Sequence, residues 1–330
     1  MTVINQTGLP TLLDVTRTLD PNGQVARIAE VLTANCPLIQ RMPWKEANGI
    51  DGHLLTLRSA LPGLTWRKFN QGVLPSKGTT SQFTETCGML EGWSNVDKKL
   101  AERNGNEAAY RATVDMAFVA SYRRTLETAF FYQSSKTDPH TIMGLAPRLD
   151  ALTGIPYATQ VLPHDASPSG NDQASIWLLG FGENKVYGIY PKGSAAGLKM
   201  TDMGLRPIED ADGGEFLGYK SHFSWDCGLA VEDARYVVRI PNIDATNLVG
   251  TGSTLINKMI QATEQLFSLE DCQPVFFMNR AIRTYLRQQT ADTTKYTLQF
   301  DEVGGRPMMK FMGIPIERTD ALINTEAPLA

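Results

Sequence analysis

The segment 106–135, NEAAYRATVDMAFVASYRRTLETAFFYQSS, constrains the fold more than any other part of the chain. Tyr110, Val114, Phe118, Tyr122, Leu126 and Phe130 recur every four residues, close to the 3.6-residue period of a helical stripe. No Pro or Gly interrupts it, and Ala, Leu, Glu and Arg favour helix throughout. About 28 residues at ~1.5 Å each give a rod of ~42 Å, longer than most globular domains need. Such a strut, following a long basic hairpin, suits a protein that tiles with copies of itself. An ordinary core helix of an α/β domain has the same pattern, so this feature alone leaves both readings open.

Composition sets the outer bounds. The 330 residues suffice for one large or two modest domains with substantial cores. With 42% hydrophobic and 20% charged residues, the chain has the make-up of a folded protein. A net charge of −4 provides no global basic footprint for nucleic acid. No apolar run reaches membrane-spanning length, and the N-terminus has neither the basic start nor the apolar core of a secretory signal. Cys36, Cys87, Cys227 and Cys272 lie far apart with no CxxC pair, which fits free thiols in a reducing compartment better than zinc ligation or disulfides.

Residues 1–43 read as an extended arm followed by a short amphipathic helix carrying Val25, Ile28, Ala29, Val31 and Leu32. From residue 44 to about 95 the signals change to strands and turns, consistent with one extended hairpin. Between 44 and 77, Lys45, Arg58, Arg67, Lys68 and Lys77 oppose Glu46 and Asp51, a local charge of +3. Its sparse apolar alternation cannot form a core alone, so the hairpin is expected to lie on another surface. Residues 96–160 hold the long helix, 161–290 a mixed α/β region, and 291–330 the closing strands. Strands are expected at 175–179, 185–190, 219–225, 236–240, 275–278, 296–300, 308–311 and 314–317, with helices at 254–267 and 279–289. Between 201 and 233, eight carboxylates, Asp210 and Asp212 among them, face only Arg206 and Lys220, a local charge of −6. A cationic hairpin and an anionic patch on one chain suit head-to-tail contacts between copies, although charge runs are commonly just solvated faces.

No catalytic constellation emerges. Gly180-Phe181-Gly182 is followed by Lys185 where a dinucleotide loop needs its third glycine, and Pro191-Lys192-Gly193-Ser194 inverts the order of a phosphate loop. No GxSxG elbow occurs, and His53, His140, His164 and His222 lie in separate segments. Residues 209–215 lack the alternating ligands and closing Glu of a calcium loop. The expectation is a protein without enzymatic turnover, cofactor or metal.

In combination, the pieces resemble the major capsid proteins of tailed, short-tailed bacteriophages. The resemblance rests on the order arm, hairpin, long helix, mixed α/β region. It also rests on Met42-Pro43-Trp44-Lys45-Glu46, Asn70-Gln71-Gly72-Val73-Leu74-Pro75-Ser76-Lys77, Cys87-Gly88-Met89-Leu90-Glu91 and Glu209-Asp210-Ala211-Asp212-Gly213-Gly214. The closing Phe311-Met312-Gly313-Ile314-Pro315-Ile316-Glu317 with Asp320-Ala321-Leu322 is a further match. The likeness covers nearly the whole chain, but its motifs carry no chemistry and are specific only together.

The resemblance implies an α+β fold of the Hong Kong 97 (Johnson) type, with the hairpin as E-loop, the helix as spine of a peripheral domain, and most of 161–290 as axial domain. It implies self-assembly as hexamers and pentamers into an icosahedral shell, formed in the host cytoplasm and enclosing double-stranded DNA in the virion. The implied partners are other copies, a scaffolding protein, a portal protein and a cement protein, with no membrane. A separate scaffold is expected because no long coiled propiece precedes the arm. Arg58, Trp66, Arg67, Lys68 and Lys77 on the hairpin, with Asp210 and Asp212 in the acidic segment, are the intersubunit contact candidates. An encapsulin-like container shares the fold and is the nearest alternative; an α/β enzyme with an unrecognised site is the alternative from another class.

Overall fold

The computed structural model describes residues 36–50, 52–103, 106–165, 168, 170–210, 212–244, 252–292, 298–303 and 306–329. The expected arm and short helix before residue 36 lie outside them. The described chain starts with a one-turn helix α1 (Leu38–Arg41) and strand β1 (Trp44–Glu46), then β2 (Gly52–Ala60), β3 (Thr79–Thr86) and β4 (Gly88–Asp97). Two helices follow, α2 (Lys98–Glu102) and the long α3 (Glu107–Tyr132). The remainder is β5 (Gln173–Phe181), β6 (Val186–Tyr190), β7 (Lys199–Glu209), β8 (Glu215–Val231), β9 (Val237–Asp244), α4 (Gly252–Gln265), β10 (Gln273–Met278), α5 (Arg280–Asp292), β11 (Leu298–Val303), β12 (Arg306–Phe311) and β13 (Ile314–Arg318).

Among the described residues eleven strands share one sheet, whose main path runs β11-β12-β13-β10-β5-β6-β8-β4. β1, β7 and β9 join it beside β6, β8 and β5. β5 is buried along its whole length, which is why QASIWLLGF reads as a nearly continuous apolar run instead of an alternation. β9 and β10 pair with it antiparallel, so Trp177, Leu178 and Leu179 sit at the centre of the molecule with no exposure. Helices α4 and α5 add Met259, Ala262, Ile282 and Leu286 to that core. β2 and β3 form a separate two-stranded sheet.

Helix α3 is 26 residues long, about 39 Å. Asn106 caps it, its side-chain oxygen accepting from the Ala109 amide at 3.1 Å. The expected stripe is the packed face: Tyr110, Tyr122, Leu126 and Phe130 are buried. The helix works in two halves. Its C-terminal half enters the core, where Phe131 meets Trp177 and Phe277 with ring centroids 6.2 and 6.3 Å apart. Its N-terminal half lies along the β4-β8-β7 extension of the sheet. There Phe118 stacks on Phe223 at 5.5 Å, and the Tyr122 hydroxyl donates to the Phe223 carbonyl at 2.9 Å. Gly92 makes this approach possible, because a Cβ there would stand 3.0 Å from the Tyr122 hydroxyl. Arg111 completes the seam, bonded to Asp202 at 2.7 Å and lying over the Tyr219 ring.

Several sequence expectations shift in extent. Within the 44–95 segment only residues 52–86 form the two-stranded hairpin; β1 runs parallel to β6 and β4 runs antiparallel to β8, both in the large sheet. The expected strand at 219–225 is the middle of a seventeen-residue strand. β7 had no sequence signal, since it is an exposed edge strand containing Pro207, with its register broken between Asp202 and Leu205.

Candidate intersubunit surface

The hairpin has a fixed base and an unsupported tip. At the base Leu55 is buried with Tyr187, Ile189 and Ala230, and His53 packs edge-on against the Tyr187 ring at 5.9 Å. Burial, reinforced by Lys45, lowers the His53 pKa, and its Nδ1 accepts from the Asn48 amide at 3.1 Å. Glu85 of β3, buried, receives both arms of the Arg148 guanidinium at 2.6 and 2.7 Å. This bidentate pair fastens the arm to the segment that follows the long helix.

Beyond Ser59 the chain leaves the body. Residues 61–78 have no regular strand, although Ser76 donates to the Gly63 carbonyl at 2.6 Å and Asn70 adopts a left-handed turn conformation. Leu64, Trp66, Phe69 and Leu74 are at least 90% exposed. Arg58, Arg67, Lys68 and Lys77 are exposed on the same arm. An arm anchored at its base, whose tip presents four large apolar side chains among cations, forfeits burial energy unless another surface covers it.

The acidic candidates sit at the far end of the β7-β8 hairpin. Asp210 organises the turn itself: its Oδ1 accepts from the Asp212 and Gly214 amides at 3.0 and 2.7 Å. Its own amide donates to the Gly214 carbonyl at 2.8 Å, and Gly213 supplies the positive φ. Asp210 therefore shapes the loop, whereas Asp212 is exposed. Among the described residues no hydrogen bond or ion pair joins Arg58, Arg67, Lys68 or Lys77 to Asp210 or Asp212 within one chain.

Sequence reading missed two buried polar clusters that tie the ends of the chain to its centre. Glu127, fully buried on α3, accepts from the Thr319 hydroxyl at 2.6 Å and the Leu38 amide at 3.5 Å, with Cys36 beside it. Burial pushes the Glu127 carboxyl up to about 7 and the Cys36 thiol up to about 12. The second cluster centres on Glu326, which takes hydrogen bonds from Arg239 at 2.9 Å, from Tyr132 at 2.6 Å and from Ser175. Arg239 also donates to the Leu149 carbonyl at 2.7 Å. No spacing rule identifies partners 192 or 87 residues apart.

This mixed α+β architecture, with a long helix packed on the sheet and a core built on β5, matches the Hong Kong 97-type phage capsid fold. The chain superposes on one from the near-atomic structure of bacteriophage epsilon15 with a TM-score of 0.79 and 33% identity, over 100% of this chain and 99% of that one. It also superposes on the capsid of bacteriophage JBD30 with a TM-score of 0.52 over 89% of this chain and 94% of that one, a likeness at 9% identity that concerns fold alone. No curated protein matches. The family model described as Major capsid protein GP7 matches residues 20–330. The chain belongs to the major capsid protein GP7 family, and is a structural component of a phage shell.

Proposed function

We propose that this chain assembles as hexamers and pentamers into a closed icosahedral shell around a double-stranded DNA genome, with residues 52–86 as the extended loop that lies on a neighbouring copy. The observation that carries the reading is the anchored arm whose tip exposes Leu64, Trp66, Phe69 and Leu74. Burying one aromatic of that size against a neighbour stabilises the contact by several kcal/mol, at ~25 cal/mol per Å² over ~150–250 Å². In this reading α3 is the spine of a peripheral domain, most of 161–290 is the axial domain at the capsomer centre, and 291–330 returns to their junction. The role is structural, without turnover. A scaffolding protein, a portal protein and a cement protein complete the set of partners, and assembly takes place in the host cytoplasm.

The test expresses the full chain with and without candidate scaffold and follows particles by sedimentation and electron microscopy. Closed shells from the wild type, and folded but unassembled subunits when 61–78 is replaced by a short Gly/Ser linker, are the expected results. A wild-type chain that stays a small oligomer with scaffold present, or a linker variant that assembles normally, overturns the reading.

A further inference from the structure

Among the described residues the β4-β8-β7 extension of the sheet ends in two strand edges, and they are built differently. An edge strand presents a row of unpaired N–H and C=O groups, which folded proteins guard with charge, proline or a bulge. β7 has all three: Lys199, Asp202, Arg206 and Glu209, then Pro207, then the register break between Asp202 and Leu205. β4 lacks these guards along most of its length. Its ten residues, Gly88-Met89-Leu90-Glu91-Gly92-Trp93-Ser94-Asn95-Val96-Asp97, include no proline, lysine or arginine, and they pair with β8 without a break. Among the described residues no backbone hydrogen bond reaches the other side of β4.

The side chains leave that edge accessible. Gly92 and Val96 face α3, so Met89, Glu91 and Trp93 occupy the opposite face, and all three are exposed. The Trp93 ring leans over β8, 4.1 Å from the His222 ring and with the Lys220 ammonium 4.3 Å away, so it does not screen the edge. At the Gly88 end a groove of about 490 Å³ opens between β4 and α3, lined by Met89, Leu90, Leu126, Ala129 and Ile142, with Arg124 among its walls. Arg124 has no ion-pair partner among the described residues. A long unguarded edge beside an apolar groove is the arrangement that accepts an added strand: the backbone supplies the hydrogen bonds, and the groove takes side chains.

We propose that β4 pairs antiparallel with β4 of a second copy across a two-fold axis, joining two three-stranded extensions into one six-stranded sheet with both α3 helices on the same face. Opposed residues in such a pair share a face, so the axis passes through a residue that meets itself. Centring on Trp93 sets Leu90 against Val96 on the α3 face and Glu91 against Asn95 on the other. Centring on Gly92 sets Leu90 against Ser94 and Val96 against Gly88, which forfeits the apolar match. In the Trp93 register no carboxylate meets another, and Asp97 of the second copy comes opposite Met89, at the groove that Arg124 lines. The strand is self-complementary in apolar pattern and in charge, as a contact between two identical surfaces requires. An extended segment of another protein is the competing occupant; the match of β4 to itself favours a second copy. This symmetric contact goes beyond the head-to-tail hairpin contact of the shell reading and does not use the hairpin tip.

Cysteine placement reads the register. Directly opposed residues have Cα atoms ~4.5–5.5 Å apart, within reach of a disulfide, whereas position 91 meets its own copy four residues further along, ~13 Å away. Glutathione disulfide is the oxidant: two thiols join, and it leaves as two glutathione thiols. Full-length Trp93→Cys should then give a disulfide-linked dimer, while the wild type and Glu91→Cys should not. Each dimer holds two contacts between positions 91 and 95, so adding Asn95→Asp should lower the cross-linked fraction and Asn95→Lys should raise it. No more dimer from Trp93→Cys than from the wild type, equal dimer from Glu91→Cys, or the same fraction with either charge at 95 overturns the proposal. Circular dichroism checks that each variant is folded. Should Trp93→Cys fail to fold, the two Asn95 variants decide by sedimentation equilibrium on the 61–78 linker chain, which lacks the hairpin contact. There Asn95→Asp should dimerise about 2- to 30-fold more weakly than Asn95→Lys; equal constants, or monomers throughout, overturn the proposal. Normal shells of Trp93→Cys without the cross-link refute the β4 contact alone, whereas a wild type that forms no shells refutes the shell reading.

Discussion

Replacing Glu127 with glutamine isolates one buried titration at the junction of three chain segments. The carboxyl lies on α3 without exposure, and receives a hydrogen bond from Thr319 at 2.6 Å and another from the Leu38 amide at 3.5 Å. Burial raises its pKa from the ordinary 4.5 to about 7; Asp320 adds to the shift, while the bonds from Thr319, Cys36 and Leu38 oppose it. Because the folded value lies above the unfolded one, the associated stability is fully present below pH 4.5 and is lost as pH rises towards 7. A gap of about 2.5 pKa units at ~1.36 kcal/mol each gives a loss of about 3 kcal/mol, complete just above pH 7. Cys36, pushed up to about 12, stays neutral throughout that window and adds nothing to it. Glutamine keeps the Oε1 acceptor and carries no charge, so Glu127→Gln should match the wild type near pH 4.5 and exceed it by ~2–3 kcal/mol at pH 8. Urea unfolding of both proteins across pH 4.5–8, on the unassembled 61–78 linker background, measures the difference directly. Stability curves that run parallel across this range would refute the argument, because a carboxyl ionised throughout gives no differential slope.

Three further outcomes follow from the same structure. Arg148→Ala should destabilise the subunit by ~3–5 kcal/mol in thermal unfolding, because it leaves Glu85 buried and unpaired; Arg148→Met with Glu85→Gln should lose far less. Trp66→Ala should change Tm by less than about 1 °C, given its 99% exposure, while reducing particle yield in sedimentation; an unfolding shift without an assembly defect contradicts the proposed contact. Asp210→Lys should weaken the β7-β8 turn by ~1–2 kcal/mol, because two amides lose their acceptor, whereas Asp212→Lys should alter stability by less than ~0.5 kcal/mol. Only Asp212→Lys therefore tests charge pairing cleanly: it should restore particles to an Arg67→Glu/Lys68→Glu chain if the turn and the hairpin meet, and additive losses would show that they do not.

What the sequence determined by itself was set by local periodicity. The four-residue recurrence from Tyr110 to Phe130 marked the long helix to within about three residues at its C-terminal end, and its apolar stripe is the face that is buried. Continuous apolar runs marked β5 and β10, and turn dipeptides marked the hairpin, since these signals lie within a few residues of one another. Tertiary structure decided the rest, because it depends on which distant segments meet. It assigned β4 to the large sheet through pairing with β8, a partner more than a hundred residues away. It gave β7 a place that its Pro207 and its exposed residues did not announce. It showed that Asp210, an interface candidate, also closes its own loop. It also brought Glu127 to Thr319 and Arg239 to Glu326, and set Arg318 beside the arginine face of α5. Helix and turn propensities are written in neighbours along the chain, whereas burial and ion pairing are written in neighbours in space.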